Sequence, residues 1–399
     1  ASSGGAGGAS SGGAAGAGGS SSGGGAAGAG GSSSSGGAAG AGGGGAAGAG
    51  GEGGAAGGGG EGGAPAGTVL LLAGGTGDFL AGAYQPGPGW TSAKLTGKTA
   101  HGVGVAVTGG GEGVGVARAE PGGALRYALW SAGKWASMAD VGPSVTTRDA
   151  PSIVGSASAV HVVFHGDDYK HYYAERSGKW APAAEPVKPP AKEQSFGPSP
   201  AAIALVGADV VIAYAGDDGK LYEQVRSAGA WKPAAATGAA LASLKPGLCS
   251  LDKGPELLAV YVRSSDKKLA WLARTAGTWS QAKDVEANTY SGDPLALAAL
   301  SGGRAVLTFR GLDGKIYASV YDPGKNPPWA QPAAVASPNP AIKSGPSLAP
   351  GTGGTDAELA FVDAGSQAAY HSRLAGGKWS APALVGGSGL LHAAVASMP

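Results

Sequence analysis

From Thr68 onward, short apolar runs alternate with breaks centred on glycine or aspartate, and no 3.6-residue apolar period persists over the length of a helix. The most legible stretch is VVIAYAGDDGKLYEQVRSAGAW at 210–231. Its two runs, rich in β-branched and aromatic residues and split by Asp217-Asp218-Gly219, predict an antiparallel hairpin. Matching breaks fall at Asp167-Asp168, Ser265-Asp266 and Asp313-Gly314. A further apolar run stands upstream of each hairpin: PSIVGSA from 151, PAAIALVG from 200, PLALAAL from 294 and PSLAPG from 346.

Each hairpin leads through a Gly-containing turn to a Trp and a short, proline-bearing polar phrase, as in SGKWAPAAEPV, GTWSQAKDV and GGKWSAPALVG. Trp90, Trp135, Trp180, Trp231, Trp279, Trp329 and Trp379 recur at spacings of 45, 45, 51, 48, 50 and 50 residues. The unit is four short strands, and repeats of about 40 to 50 residues with four strands predict the blades of an all-β, seven-bladed β-propeller. A solenoid is the competing architecture, and the chain ends argue against it. TVLLLAGGTGDFLAGAYQPGPGW at 68–90 holds a hairpin and Trp without a preceding first strand, whereas SGLLHAAVASMP at 388–399 reads as a first strand with no hairpin after it. Residues near Leu390 to Ser397 are therefore expected to pair beside Thr68 to Ala73, completing one blade from both ends and removing the exposed edges of an open array.

Composition divides the chain into residues 1–67 and 68–399. The first segment is almost wholly Gly, Ala and Ser, with Glu52 and Glu61 its only charges and no aromatic, Ile, Leu or Val. It has nothing to offset backbone entropy, so a disordered tether is expected, with a reach of roughly 45 Å. The second segment carries every Trp, Tyr and Phe. The chain's net charge is +1 and the two tail glutamates leave the remainder at +3, with no basic run, which argues against nucleic acid. Cys249 is the single cysteine, so neither an internal disulfide framework nor a Cys-based zinc site is expected. No stretch reaches the roughly 18 apolar residues of a membrane span. The start at Ala1, with a Gly/Ser spacer behind it, is read as the mark of a removed leader and of a secreted or surface-anchored bacterial protein, with an anchor upstream of residue 1. An interdomain linker of a longer protein is the competing reading. Oligomeric state is not legible.

Candidate chemistry lies in three columns obtained by aligning the repeats on their Trp. The first, on the third strand, reads Tyr84, Trp130, Arg176, Arg226, Arg274, Tyr321 and Arg373. Three residues earlier stand Ala81, Tyr127, Tyr173, Glu223, Trp271, Ala318 and Tyr370. A guanidinium offers a planar fork of donors to paired hydroxyls, and an aromatic ring offers a platform to the CH face of a sugar. The structural alternative is an Arg braced over the Trp by a cation–π contact, with the Trp, among them Trp180, Trp231 and Trp279, filling the wedge between sheets. Both readings stand at this level. The third column, at the end of the second strand, is variable, and His165, Arg263 and Arg310 are its polar members. Asp217-Asp218-Gly219 supplies too few oxygens for calcium and reads as turn chemistry. His161 and His165 lie four apart without a third ligand, and no GxSxG, HExxH or Asp-box phrase is present, so neither metal, cofactor nor enzymatic activity is expected.

The blade phrase, an apolar strand followed by DDGKLY, a few polar residues, Gly and Trp, resembles the repeat of bacterial seven-bladed lectins of the Photorhabdus type. It is similar, more loosely, to that of fungal fucose-specific propeller lectins. The resemblance covers 68–399 and implies a multivalent lectin whose sugars, fucose or O-methylated sugars, bind between adjacent blades near the third-strand column and the Trp. The fungal lectins use an Arg, Glu and Trp or Tyr set, and Glu223, Arg226 and Trp231 look like one. A non-catalytic protein-interaction scaffold is the alternative function.

Overall fold

The computed structural model describes residues 67–142, 145–187, 199–240, 245–286, 289–291, 295–352 and 356–398. The segment expected to be a tether lies outside them, apart from Gly67. The described chain forms seven antiparallel sheets. Blade three shows the plan: an innermost strand Ser152–Gly155, then Val160–His165 and His171–Ser177, then an outer edge in two pieces, Lys179–Trp180 and Glu185–Pro186. Both pieces pair with His171–Ser177 on the side away from Val160–His165, so the blade is four-stranded with an interrupted edge. Pro182, Pro233 and Pro382 stand in three such interruptions. Proline cannot donate to a ladder and is confined to edges of this kind.

The innermost strands Leu390–Ser397, Val103–Val107, Ser152–Gly155, Ala202–Val206, Gly247–Ser250, Ala296–Leu300 and Ser347–Pro350 follow one another around an axis, the last returning to the first. The sheet holding Val69–Gly75, Phe79–Gln85 and Gly89–Leu95 is blade one, and its innermost strand is Leu390–Ser397. The ends pair as expected, antiparallel and in the register Val69 opposite Ser397, Leu72 opposite Ala394 and Ala73 opposite Ala393. The Met398 amide donates to the Thr68 carbonyl at 2.9 Å. The ladder shifts between Gly74 and Gly75, where a Cβ on Gly75 would lie 2.0 Å from the Gly389 carbonyl oxygen. Only glycine admits so close an approach.

The second strands do not alternate apolar with polar, as a half-buried strand would. Val69–Gly75, Val160–His165, Leu257–Val262 and Ala357–Val362 are buried along their whole length. Each lies between two neighbouring blades, and successive side chains turn to opposite sides: Leu70 and Leu72 pack with Trp130 of blade two, while Val69 and Leu71 pack with Ala360 and Val362 of blade seven. At roughly 1.5–3 kcal/mol for each fully buried aliphatic side chain, these layers between blades hold the ring together.

The aspartate phrases are turn chemistry. Asp168, Asp218 and Asp313 each accept the amide of the residue two positions on and the hydroxyl of the Tyr four positions on, at 2.8–3.2 Å. The DDGKLY phrase thus specifies a hairpin in which the tyrosine of the next strand clamps the turn.

Candidate functional site

The Trp that closes each repeat opens the outer edge of its blade and faces one residue of the third strand. The pairs are Tyr84 with Trp90, Trp130 with Trp135, Arg176 with Trp180, Arg226 with Trp231 and Arg274 with Trp279. Tyr321 faces Trp329 through a single bridge. In blade seven the partner of Trp379 is Leu374, not Arg373. The sequence alignment is out by one residue there, so Arg373 and Tyr370 leave the columns assigned to them and His371 takes the position of Tyr173 and Trp271. One residue of slip sends every side chain of a strand to the other face. Tyr370 accordingly stacks on Phe361 at 5.8 Å in the apolar layer shared with blade six.

The two third-strand columns are three residues apart, so they point to opposite faces of the blade. The Trp-paired column faces the preceding blade and the other faces the following one. Each cleft between blades is therefore built from two repeats. Glu223, Arg226 and Trp231, adjacent in sequence, do not form one site: Glu223 serves the cleft between blades four and five, while Arg226 and Trp231 serve that between three and four.

Three clefts are closed by apolar contact. Ala81 meets Trp130 between blades one and two, and Ala318 and Leu374 lie in apolar layers between six and seven. Between five and six, Trp271, Tyr321 and Trp329 form a ring cluster with centroids 5.4–6.5 Å apart.

The cleft between blades three and four is open, with a cavity of about 340 Å³ lined by Tyr173, Glu175, Trp180, Glu185 and Arg226. The Arg226 Nε donates to Glu185 Oε2 at 3.1 Å, and its guanidinium carbon stands 4.7 Å from the Tyr173 ring centroid. The Tyr173 hydroxyl donates to Glu175 Oε2 at 2.8 Å and lies 2.7 Å from His161 Nδ1. Trp231 meets Tyr173 edge to face at 5.6 Å. Burial holds the His161 imidazole below its ordinary value, so at neutral pH it is uncharged, and the charges lining the cavity are the Arg226 guanidinium, the exposed Lys179 ammonium and the carboxylates of Glu175 and Glu185. Burial, followed by the bond to Glu175, pushes the Tyr173 phenol upward and keeps its proton in place. Solvent-accessible, half-buried pairs of this kind contribute only about 0–1 kcal/mol to stability, so their convergence in a cavity is poorly explained by fold maintenance. A guanidinium fork, an ammonium and two acceptor carboxylates around a shallow cavity suit a polyhydroxylated ligand.

The remaining clefts are tighter. Between four and five, buried Glu223 lies 2.6 Å from Arg274 Nε and accepts Trp279 Nε1 at 2.8 Å, while Arg274 also reaches Glu256. Burial pushes the Glu223 carboxyl up, against the pull of the Arg274 charge. Between two and three, Tyr127 meets Trp180 edge to face at 5.3 Å and Arg176 pairs with Glu112 at 2.6 Å. Between seven and one, the Arg373 guanidinium carbon stands 3.7 Å from the Tyr84 ring centroid, and Arg373 shares buried Glu358 with His371, whose ring meets Trp90 at 5.0 Å.

His165, Arg263 and Arg310 lie at the other end of the strands. His165 pairs with His171 and Arg176 with Val160, five residues along the same ladder, roughly 16 Å away. They have local partners there: His165 Nδ1 lies 2.8 Å from Asp149, Arg263 holds Asp266 and Asp284, and Arg310 donates to the Ile342 carbonyl. They take no part in the Trp-side clefts. The columns also omitted Glu175 and Glu185. Glu175 is two residues beyond Tyr173, hence on its face, and a period-two reading would have found it; Glu185 sits beyond the proline interruption, where no strand spacing leads. Among the described residues no group of His, Cys, Asp and Glu is placed to hold a metal ion, and no helix is long and apolar enough to cross a membrane.

No family model matches this chain, and no curated protein matches it in sequence. Solved structures do share its fold. AofleA from Arthrobotrys oligospora is 13% identical with a TM-score of 0.52, over 75% of this chain and 89% of that one. A fungal lectin from Aleuria aurantia, described as a six-bladed β-propeller with a novel fucose recognition mode, is 17% identical with a TM-score of 0.50, over 71% and 94%. The periplasmic gluconolactonase of Pseudomonas aeruginosa is 12% identical with a TM-score of 0.53, over 83% and 100%. At these identities the likeness is one of fold.

Proposed function

We propose that the chain is a carbohydrate-binding lectin whose best-equipped site is the cleft between blades three and four, and that fucose or a related O-methylated sugar is its ligand. The observation that carries the reading is the convergence of Arg226, Glu175, Glu185 and Tyr173 on an open cavity of about 340 Å³. The fold it shares with a lectin described by its fucose recognition supports the same reading. The bacterial seven-bladed resemblance rests on the repeat phrase alone. Sites are unequal: the clefts at Arg176, at Glu223 with Arg274, and at His371 with Arg373 are secondary, and the three apolar clefts bind nothing. Weak sites on one ring gain strength through multivalency. The reading is of binding without turnover, on a propeller carried by residues 1–67 as a tether at a bacterial surface or in a secreted form.

A glycan array followed by titration of the best fucoside tests this. Binding by the full chain and its loss in Arg226→Ala, with an unchanged melt, supports the reading. An array without signal, or turnover of the bound glycan, opposes it.

A further inference from the structure

The axis of the ring is a tunnel. One cavity of about 380 Å³ opens at the end where Gly102, Pro151, Pro200 and Pro346 form the mouth, and a second of about 730 Å³ opens at the other. Both are lined by Val105, Ile153, Ile203, Leu248, Leu297 and Leu348, so they meet at an apolar waist. Each is within the range of small-molecule sites.

The tunnel is asymmetric in charge. The first cavity is lined by Lys245 and His392 and by no carboxylate among the described residues, and the second by no charged residue at all. Lys245 enters from the side of blade five and reaches past blade four, its Nζ donating to Ser152 Oγ of blade three at 3.0 Å. The Ser152 hydroxyl donates onward to the Ala201 carbonyl at 2.6 Å, which fixes it as the acceptor for the amine. An ammonium has three donors, and this is the one hydrogen bond that the described residues give it. His392 is committed to the Ala100 carbonyl at 3.3 Å, and burial lowers its affinity for a proton. Enclosure without a counter-charge pulls the Lys245 ammonium down to about 8.

We propose that the tunnel is a binding site for a small amphiphilic carboxylate, held by a charge-assisted bond from Lys245 and by its alkyl chain along the waist at Ile153, Ile203, Leu248 and Leu297. A carboxylate supplies the acceptors and the counter-charge that the mouth lacks, and an alkyl chain suits the strands that follow. The site is independent of the clefts between blades.

Octanoate and octanol are titrated into the full chain and into Lys245→Met and Lys245→Arg, each checked by its thermal melt. Octanoate is expected to bind the unaltered chain, with affinity lowered about tenfold or more by Lys245→Met and by exchange for octanol, and largely kept by Lys245→Arg. Crystals soaked with 8-bromooctanoate are expected to show the bromine beside the apolar waist. Equal affinity in Lys245→Met, no binding at millimolar octanoate, or bromine outside the tunnel would overturn the proposal.

Discussion

Glu223 and Arg226 stand three residues apart on one strand and serve different clefts: Glu223 lies 2.6 Å from Arg274 of the following blade, and Arg226 donates to Glu185 of the preceding one at 3.1 Å. The geometry follows from the pleat of the strand, which turns positions of opposite parity to opposite faces. It gives the two residues different roles. Glu223 is buried and fully engaged, whereas Arg226 lines an open cavity.

Replacing Glu223 with Ala is expected to act on the fold. It leaves Trp279 Nε1 without an acceptor and Arg274 with Glu256 alone. The expected cost is about 1–3 kcal/mol, read as a lower denaturant midpoint with an unchanged slope. Loss of sugar binding without loss of stability would place Glu223 in the binding site instead.

Tyr370→Ala tests the register of blade seven. The side chain packs on Phe361 in an apolar layer, so truncation is expected to cost roughly 2–4 kcal/mol and to leave affinity for sugar as it was. His371→Ala, one residue along, is expected to alter the cleft between blades seven and one. The opposite pairing of effects would restore the alignment on Trp379.

Much of the architecture is legible in the residues. The Trp period, the Asp-Gly turns and the half-blades at the two ends lead to a closed ring, and the pairing of Leu390–Ser397 beside Val69–Gly75 is the one they imply. The sites are less legible for physical reasons. Columns spaced by three residues mix the two faces of a strand, so they joined Glu223 to Arg226. A turn can shift by one residue without disturbing the Trp period, which is how Arg373 displaced Leu374. And a cleft between repeats is completed by charges such as Glu185 whose sequence position follows no strand period.

Closure of the ring makes the C-terminal strand indispensable. Deleting 390–399 removes the partner of Val69–Gly75 and uncovers Leu71 and Val69. The truncated chain is expected to lose its single cooperative melt. A melt like that of the full chain would mean that the ring does not depend on this strand.

Stability is expected to fall in mild acid. Burial lowers the pKa of His171 from 6.5 to about 3 and also lowers those of His161, His392 and His101. Because the unfolded chain takes up these protons first, it gains relative to the fold as pH drops below 6.5. For His171 alone the loss at pH 5 is about 2 kcal/mol. His171→Gln is expected to flatten the decline between pH 7 and 5. An unchanged slope would show that His171 does not titrate in that window on unfolding.

The central claim is the sugar site between blades three and four, and a crystal structure with saturating methyl α-L-fucoside tests it most directly. The account predicts the sugar within hydrogen-bonding distance of the Arg226 guanidinium and one of the carboxylates of Glu175 and Glu185. An empty cleft at saturation, or sugar only in the clefts closed by Trp130, Trp329 and Leu374, would contradict it.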